Sequence, residues 1–243
     1  DRSPYWRAFL NTGSGFSSSE TRWSLPSSVL AGTNYGFFTA AASSETRFWS
    51  TFDINGDALP DLVQTVDPMT SYSVFDADRS PYWRVFPSTG SGFSSTEARW
   101  SLPASVLAGT NYGFFAASAN SETRFWSVFD IDGEGHVDLV QTVDPMTSYS
   151  VFDADRSPYW RVFSSTGSGF SSTEARWSLP DSVLAGTNYG FFAVFANSET
   201  RFWSVFDIDH DGHVDLVQTV DPMTSYAVFN ASASPYWRVF WGE

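Results

Sequence analysis

The residues best suited to chemistry in this chain are acidic and closely spaced. In "FDINGDALPDLVQ", from Phe52, the side chains of Asp53, Asn55 and Asp57 stand at alternate positions, Leu59 follows, and Asp61 closes the group. "FDIDGEGHVDLVQ", from Phe129, sets out Asp130, Asp132, Glu134, His136 and Asp138 in the same way, and "FDIDHDGHVDLVQ", from Phe206, sets out Asp207, Asp209, Asp211, His213 and Asp215. Carboxylates this close repel one another unless a cation lies among them. Side-chain oxygens at positions 1, 3, 5 and 9, with the backbone carbonyl of position 7 (Leu59, His136 or His213), make up the oxygen set of a hard ion such as Ca2+. The pattern predicts about three Ca2+ ions, one per loop. Asp and Gly also mark ordinary hairpin turns, but three full ligand sets favour the metal. Position 6 is Gly135 and Gly212 but Ala58 in the first loop, which predicts a strained turn there. The histidines His136, His210 and His213 all fall in these loops and read as solvent-facing turn residues rather than transition-metal ligands.

The loops recur because the whole chain does. "DRSPYWR" opens at Asp1, Asp78 and Asp155, so 243 residues divide into units 1–77, 78–154 and 155–231 and a partial closing unit, 232–243, that repeats the opening strand. Within a unit, short aromatic and β-branched runs alternate with Gly, Asn, Asp and Pro clusters, and helical periodicity is absent. The expected class is all-β, a single repeat domain. "FWSVFDIDGEG" from Phe125 also echoes "YWRVFPSTGSG" from Tyr82. Two hairpins per unit favour a β-propeller of six short blades of about forty residues. The alternative is three large blades, below the usual four to eight, which requires closure by oligomerisation or a longer parent protein. "PYWRAF" near the N-terminus and "PYWRVF" near the C-terminus compete for one position, which allows a homo-oligomer through the terminal strands.

An EF-hand needs Glu at position 12 and flanking helices, whereas these loops have Gln64, Gln141 and Gln218 there and strand-like flanks. The loops, the following "VDLV" and the hairpin "NTGSGF" (Asn11 to Phe16) instead resemble the FG-GAP or VCBS repeat, the calcium-binding blade of integrin α-subunit propellers. The resemblance covers about half of each unit and implies calcium-clamped propeller blades.

Composition excludes other classes. A net charge of −14 with only 13 basic residues argues against nucleic acid and anionic membrane surfaces, and no apolar run is long enough to insert in a bilayer. No leader precedes Asp1, so the sequence reads as a mature form or an excised piece. Without cysteine there are no disulfides, thiolate metal sites or thiol nucleophiles. Calcium loops of this kind fill near millimolar ion, which places the protein outside the cell or on its surface. No enzyme is expected, because the histidines lie in the turns and every acidic candidate recurs in each unit without a unique partner.

Two binding functions remain. Sugar rings stack on aromatic side chains and hydrogen-bond to planar polar groups. Each unit offers an Arg-Trp pair: Arg22 and Trp23, Arg99 and Trp100, Arg176 and Trp177. Each also offers an Asn-Tyr pair: Asn34 and Tyr35, Asn111 and Tyr112, Asn188 and Tyr189. A multivalent lectin for glycans is therefore the first expectation. Some fungal and bacterial lectins are built from repeats similar to these. The second is a non-catalytic scaffold for protein partners, since similar strings resemble propeller segments of large secreted proteins of the SpvB, Tc-toxin and RHS type.

Overall fold

The computed structural model of the chain describes residues 5–26, 49–65, 74–75, 80–104, 126–141, 151–152, 158–180, 203–221, 226–229, 232 and 234–242. Every element placed among them is a β-strand, so the all-β class holds. The first pair is β1 (Tyr5–Ala8) and β2 (Thr21–Ser24). Next come β3 (Trp49–Phe52), β4 (Asp61–Gln64), β5 (Val74–Phe75), β6 (Pro81–Phe86) and β7 (Ala98–Ser101). The same series returns as β8 (Trp126–Phe129), β9 (Asp138–Gln141), β10 (Val151–Phe152), β11 (Pro158–Phe163) and β12 (Ala175–Ser178). The chain ends with β13 (Trp203–Phe206), β14 (Asp215–Gln218), β15 (Val220–Asp221), β16 (Tyr226–Phe229), β17 (Pro235–Tyr236) and β18 (Arg238–Phe240).

Strands β3, β4, β6 and β7 form one antiparallel sheet. One edge of β6 is shared, with Arg84, Val85 and Phe86 on β4 and Pro81 and Tyr82 on β5, while the other edge takes β7. β8, β9, β11, β10 and β12 repeat this pattern. Each sheet thus joins the end of one sequence unit to the start of the next. The two echoing hairpins of a unit, expected as separate short blades, fall in different sheets, and each sheet holds the later hairpin of one unit beside the opening hairpin of the next because β4 pairs with β6 across the unit boundary. At the chain ends the sheets are partial. β1 and β2 correspond to β6 and β7, and β13, β14 and β18 correspond to β3, β4 and β6, with the closing segment supplying β18.

The "DLV" strands are buried on both faces because they are central and sandwiched between neighbouring sheets. Alternation then sends successive side chains to opposite sides. Leu62 packs with Trp49, Phe86 and Phe93 against Trp6 and Trp23 of the first sheet, whereas Val63 packs with Trp83, Leu139 and Phe163 towards the next. Val140 and Trp160 face onward to Leu216. The core is therefore a series of apolar layers between successive sheets.

Each junction is locked by a hairpin that follows the third strand. Phe93 sits edge-on to Trp6 and Trp23, with ring centroids 5.4 and 6.1 Å away, and Phe170 sits in the same manner on Trp83 and Trp100, at 5.5 and 6.1 Å. The backbones meet as well. Phe93 N donates to Ser24 O and Phe170 N to Ser101 O, both at 2.9 Å. A Cβ at Gly92 or Gly169 would come within 2.8 Å of Ser24 or Ser101, so only glycine allows the approach. Truncating Phe170 to Ala should lower stability by about 3 to 4 kcal/mol in urea unfolding, because the cavity it leaves is walled by two Trp rings. The same change at the corresponding Phe16, which is 76% exposed, should cost less than about 0.5 kcal/mol within a single monomeric chain.

Candidate metal-binding loops

Each acidic loop connects the first two strands of a sheet, as β3 to β4 in the first case. The loop shape comes from carboxylates that accept from the backbone N–H groups of the turn. Asp53 Oδ1 accepts from Gly56 N at 2.8 Å and Asp57 N at 3.1 Å, and Asp53 Oδ2 accepts from Ala58 N at 2.7 Å. In the third loop Asp207 accepts from Asp211 N at 3.1 Å and Gly212 N at 3.0 Å. Asn55 and Asp209 at position 3 take the Asp57 and Asp211 amides, at 2.9 and 3.2 Å. The carboxylates are thereby aimed inward before any ion arrives.

Position 9 has a further duty. Asp61, Asp138 and Asp215 are buried, and each accepts an N–H seven residues earlier in the loop (Ile54, Ile131, Ile208). Each also accepts an N–H 27 residues later, just beyond the third strand (Ser88, Ser165, Gly242), at 2.8 to 2.9 Å. Burial pushes the Asp138 carboxyl up to about 6, against the pull of these two amides, and Asp132 and Asp130 push the same way. Asp61 is raised for the same leading reason.

Two groups of three aspartates could hold a metal ion. Oxygens of Asp130, Asp132 and Asp138 lie within 4.8 Å of one another, as do those of Asp207, Asp209 and Asp215. The structure brings together positions 1, 3 and 9, while Glu134 and Asp211 at position 5 are exposed outside these groups. In the first loop Asn55 takes position 3, and Asp57 Oδ1 accepts from Leu59 N at 2.9 Å. The chemistry of the middle loop fits a cation, because Asp130 Oδ1 is buried with no hydrogen-bond partner. An anionic oxygen withdrawn from water in that way is costly unless something positive meets it.

His136 and His213 depart from the expectation of turn residues facing solvent, whereas His210 is exposed. A Cβ on Gly56 would run into the His136 ring, and one on Gly133 would meet the Gly212 carbonyl and lie 3.4 Å from His213 Nδ1. The three loops therefore stack along one side, each position-7 His lying over the position-4 Gly of the loop before. His136 is half-buried, and its Nδ1 is out of contact with water. Position 4 also explains why His210 lacks a counterpart. It has a left-handed backbone (φ +65°) like Gly56 and Gly133, but among the described residues no further loop presses on it. Ala58 is left-handed too, at φ +66°, as its place opposite Gly135 and Gly212 predicts.

The Arg-Trp pairs are divided by strand alternation. Trp100 is 3% exposed in the inter-sheet core, and Trp23 and Trp177 pack in the same layers. They are held by packing and do not form a sugar platform with the neighbouring Arg. Arg22, Arg99 and Arg176 point the other way, each over a Tyr ring (Tyr5, Tyr82, Tyr159) at 4.5 to 4.8 Å and beside Glu20, Glu97 or Glu174. Sequence reasoning missed these Arg, Glu and Tyr groups as units, although register would have found them by pairing Arg22 with Arg7 and Tyr5 with Ser24. Tyr35, Tyr112 and Tyr189 lie outside the described residues, as do their neighbours Asn34, Asn111 and Asn188.

No family model and no curated protein matches the sequence. Among solved structures, the chain is similar to a chain of the Photorhabdus luminescens Tc holotoxin pore, at 15% identity and a TM-score of 0.49. The match covers 91% of this chain and 8% of that one.

Relieving the left-handed alanine with Ala58→Gly should raise stability by up to about 1 kcal/mol, read from the urea midpoint. The pH response of the ion-free protein has a defined sign. The Asp138 carboxyl has a raised pKa when folded, so its contribution is fully present below the unfolded value near 4 and lost as pH rises through about 6. In chelator, carbon-13 NMR should show this carboxyl titrating near 6. A saturating divalent cation should move the midpoint downward.

Proposed function

We propose that the chain is a non-catalytic binding scaffold of propeller type, whose loops are clamped by Ca2+ and whose sheets present repeated surfaces to a partner outside the cell. The observation that carries this reading is the buried, unpartnered Oδ1 of Asp130, a residue whose carboxylate is grouped with those of Asp132 and Asp138. Ca2+ is favoured over a transition metal because the donors are all oxygens. Asp130 and Asp132 would hold the ion with Asp138 behind them, and the ion would neutralise the acidic cluster. Mg2+ demands tighter octahedral geometry than a loop of this kind supplies. The stacked sheets and the FG-GAP-like loops support the propeller type, with one large blade per unit rather than two short ones.

A glycan-binding reading is favoured by a second observation. Three Arg and Glu groups recur on the surface at equivalent places, and the side chains of Arg22, Arg99 and Arg176 are 68%, 55% and 51% exposed. Planar charged groups of this kind suit sugar hydroxyls, and repetition would give avidity. A glycan array with calcium separates the two readings. Selective binding that Arg99→Ala weakens supports the lectin, and a blank array leaves the scaffold.

The calcium clamp has its own test. Millimolar Ca2+ should raise the melting temperature and EDTA should reverse the gain. Asp130→Asn combined with Asp132→Asn should remove the response of the middle loop in isothermal titration. An unchanged melting curve in EDTA would end the proposal.

A further inference from the structure

The junction that repeats inside the chain is left open at both of its ends, in complementary form. At the N-terminal end stands an unused knob. Phe16 occupies the place of Phe93 and Phe170 in its hairpin, yet it is 76% exposed where they are 7% and 5%. Phe9 is 44% exposed, whereas its counterparts Phe86 and Phe163 are buried. Gly15 tells the same story, because a Cβ there would meet nothing within 4 Å, while Gly92 and Gly169 are pressed against a serine of the preceding sheet. The hairpin itself is formed, with Thr12 N donating to Gly15 O at 2.9 Å. β1 has β2 on one side and, among the described residues, no strand on the other.

At the C-terminal end stands the matching hole. A cavity of about 110 Å³ is lined by Trp160, Trp177, Ser178, Leu179, Phe240 and Trp241, among others. Trp160 and Trp177 correspond to Trp83 and Trp100, the two rings that receive Phe170, and Ser178 corresponds to Ser101, whose carbonyl takes the Phe170 amide. The closing segment fills the third-strand place beside this hole in the register that β6 and β11 use. β18 pairs with β14 through three residues, and Gly242 N takes the Asp215 bond that Ser88 and Ser165 make elsewhere. Among the described residues no Gly-Phe hairpin and no fourth strand accompany it.

We propose that the N-terminal pair β1–β2 of a second copy of this chain displaces β18 from β14, completing a four-stranded sheet and seating Phe16 against Trp160 and Trp177. In this arrangement Arg7, Ala8 and Phe9 take the register of Arg238, Val239 and Phe240, and Asn11 N replaces Gly242 N on Asp215. A second copy is the occupant because its β1–β2 pair carries the parts that fit this hole, the Gly-Phe hairpin and the fourth strand, in the register of the junctions inside the chain. The count of sheets rests on the propeller reading above: two chains exchanging ends supply six, within the four to eight that such rings use. The acidic loops do not drive the junction. His210 stands where Gly56 and Gly133 admit the next loop, so the hairpin and strand carry the contact.

Light scattering on the 243-residue chain should give twice the 27.0 kDa chain mass at micromolar concentration. Phe16→Ala should raise the dimer dissociation constant by more than about tenfold, since it removes the central aromatic anchor. Gly15→Val should do so by sterics alone. Both positions are open to solvent within one chain, so melting of the isolated monomer and its circular dichroism should be unchanged. A wild-type chain that stays monomeric up to about 100 μM, well above the concentration at which a specific interface of this size associates, overturns the proposal. A dimer that both variants leave intact does so as well. None of these results depends on calcium, so they stand apart from the test of the clamp.

Discussion

A buried carboxylate at the ninth position of each acidic loop ties the architecture together. Asp61, Asp138 and Asp215 each hold one amide of their own loop and one amide that follows the third strand of the sheet. The two partners are separated by more than thirty residues of chain (7 before, 27 after), so one side chain couples the loop to the strand that crosses into the next sequence unit. At Asp61 and Asp138 burial raises the proton affinity, so a group that fixes the backbone also responds to whatever charge enters the acidic cluster.

From that tie follows the layered build. Because β4, β9 and β14 are central strands, their alternate side chains must be apolar on both faces, and each layer between sheets draws on both neighbours. The Phe hairpins then set the spacing, with an edge-on ring between two Trp rings and a glycine where the backbone of the preceding sheet comes close. Among the described residues, Trp49, Trp83, Trp100, Trp160, Phe93 and Phe170 are consumed in this way. The same economy governs the surface, where Arg, Glu and Tyr side chains satisfy one another across β1–β2 and its counterparts.

Stacking brings the acidic loops side by side, and this gives the sequence differences among them a physical meaning. Gly56 and Gly133 admit the histidine-bearing loop that follows, and His210 stands where no such loop presses among the described residues. His136 accordingly belongs to a loop-to-loop contact. Its place could not be read from one unit, because the neighbour that covers it lies in another.

By itself, the sequence determined the period of the chain, its all-β class, the position and oxygen character of the acidic loops, and the left-handed strain at Ala58. These are local properties, set by residue type and spacing within a few residues. Only the tertiary structure decided that the later hairpin of one unit shares a sheet with the opening hairpin of the next, that Trp100 is core while Arg99 faces outward, and that Phe16 is exposed where Phe93 and Phe170 are not. Identical strings receive different environments because burial depends on which sheet stands next to them, and that neighbour is supplied by residues about seventy positions away or, at the two ends, by none within the described chain.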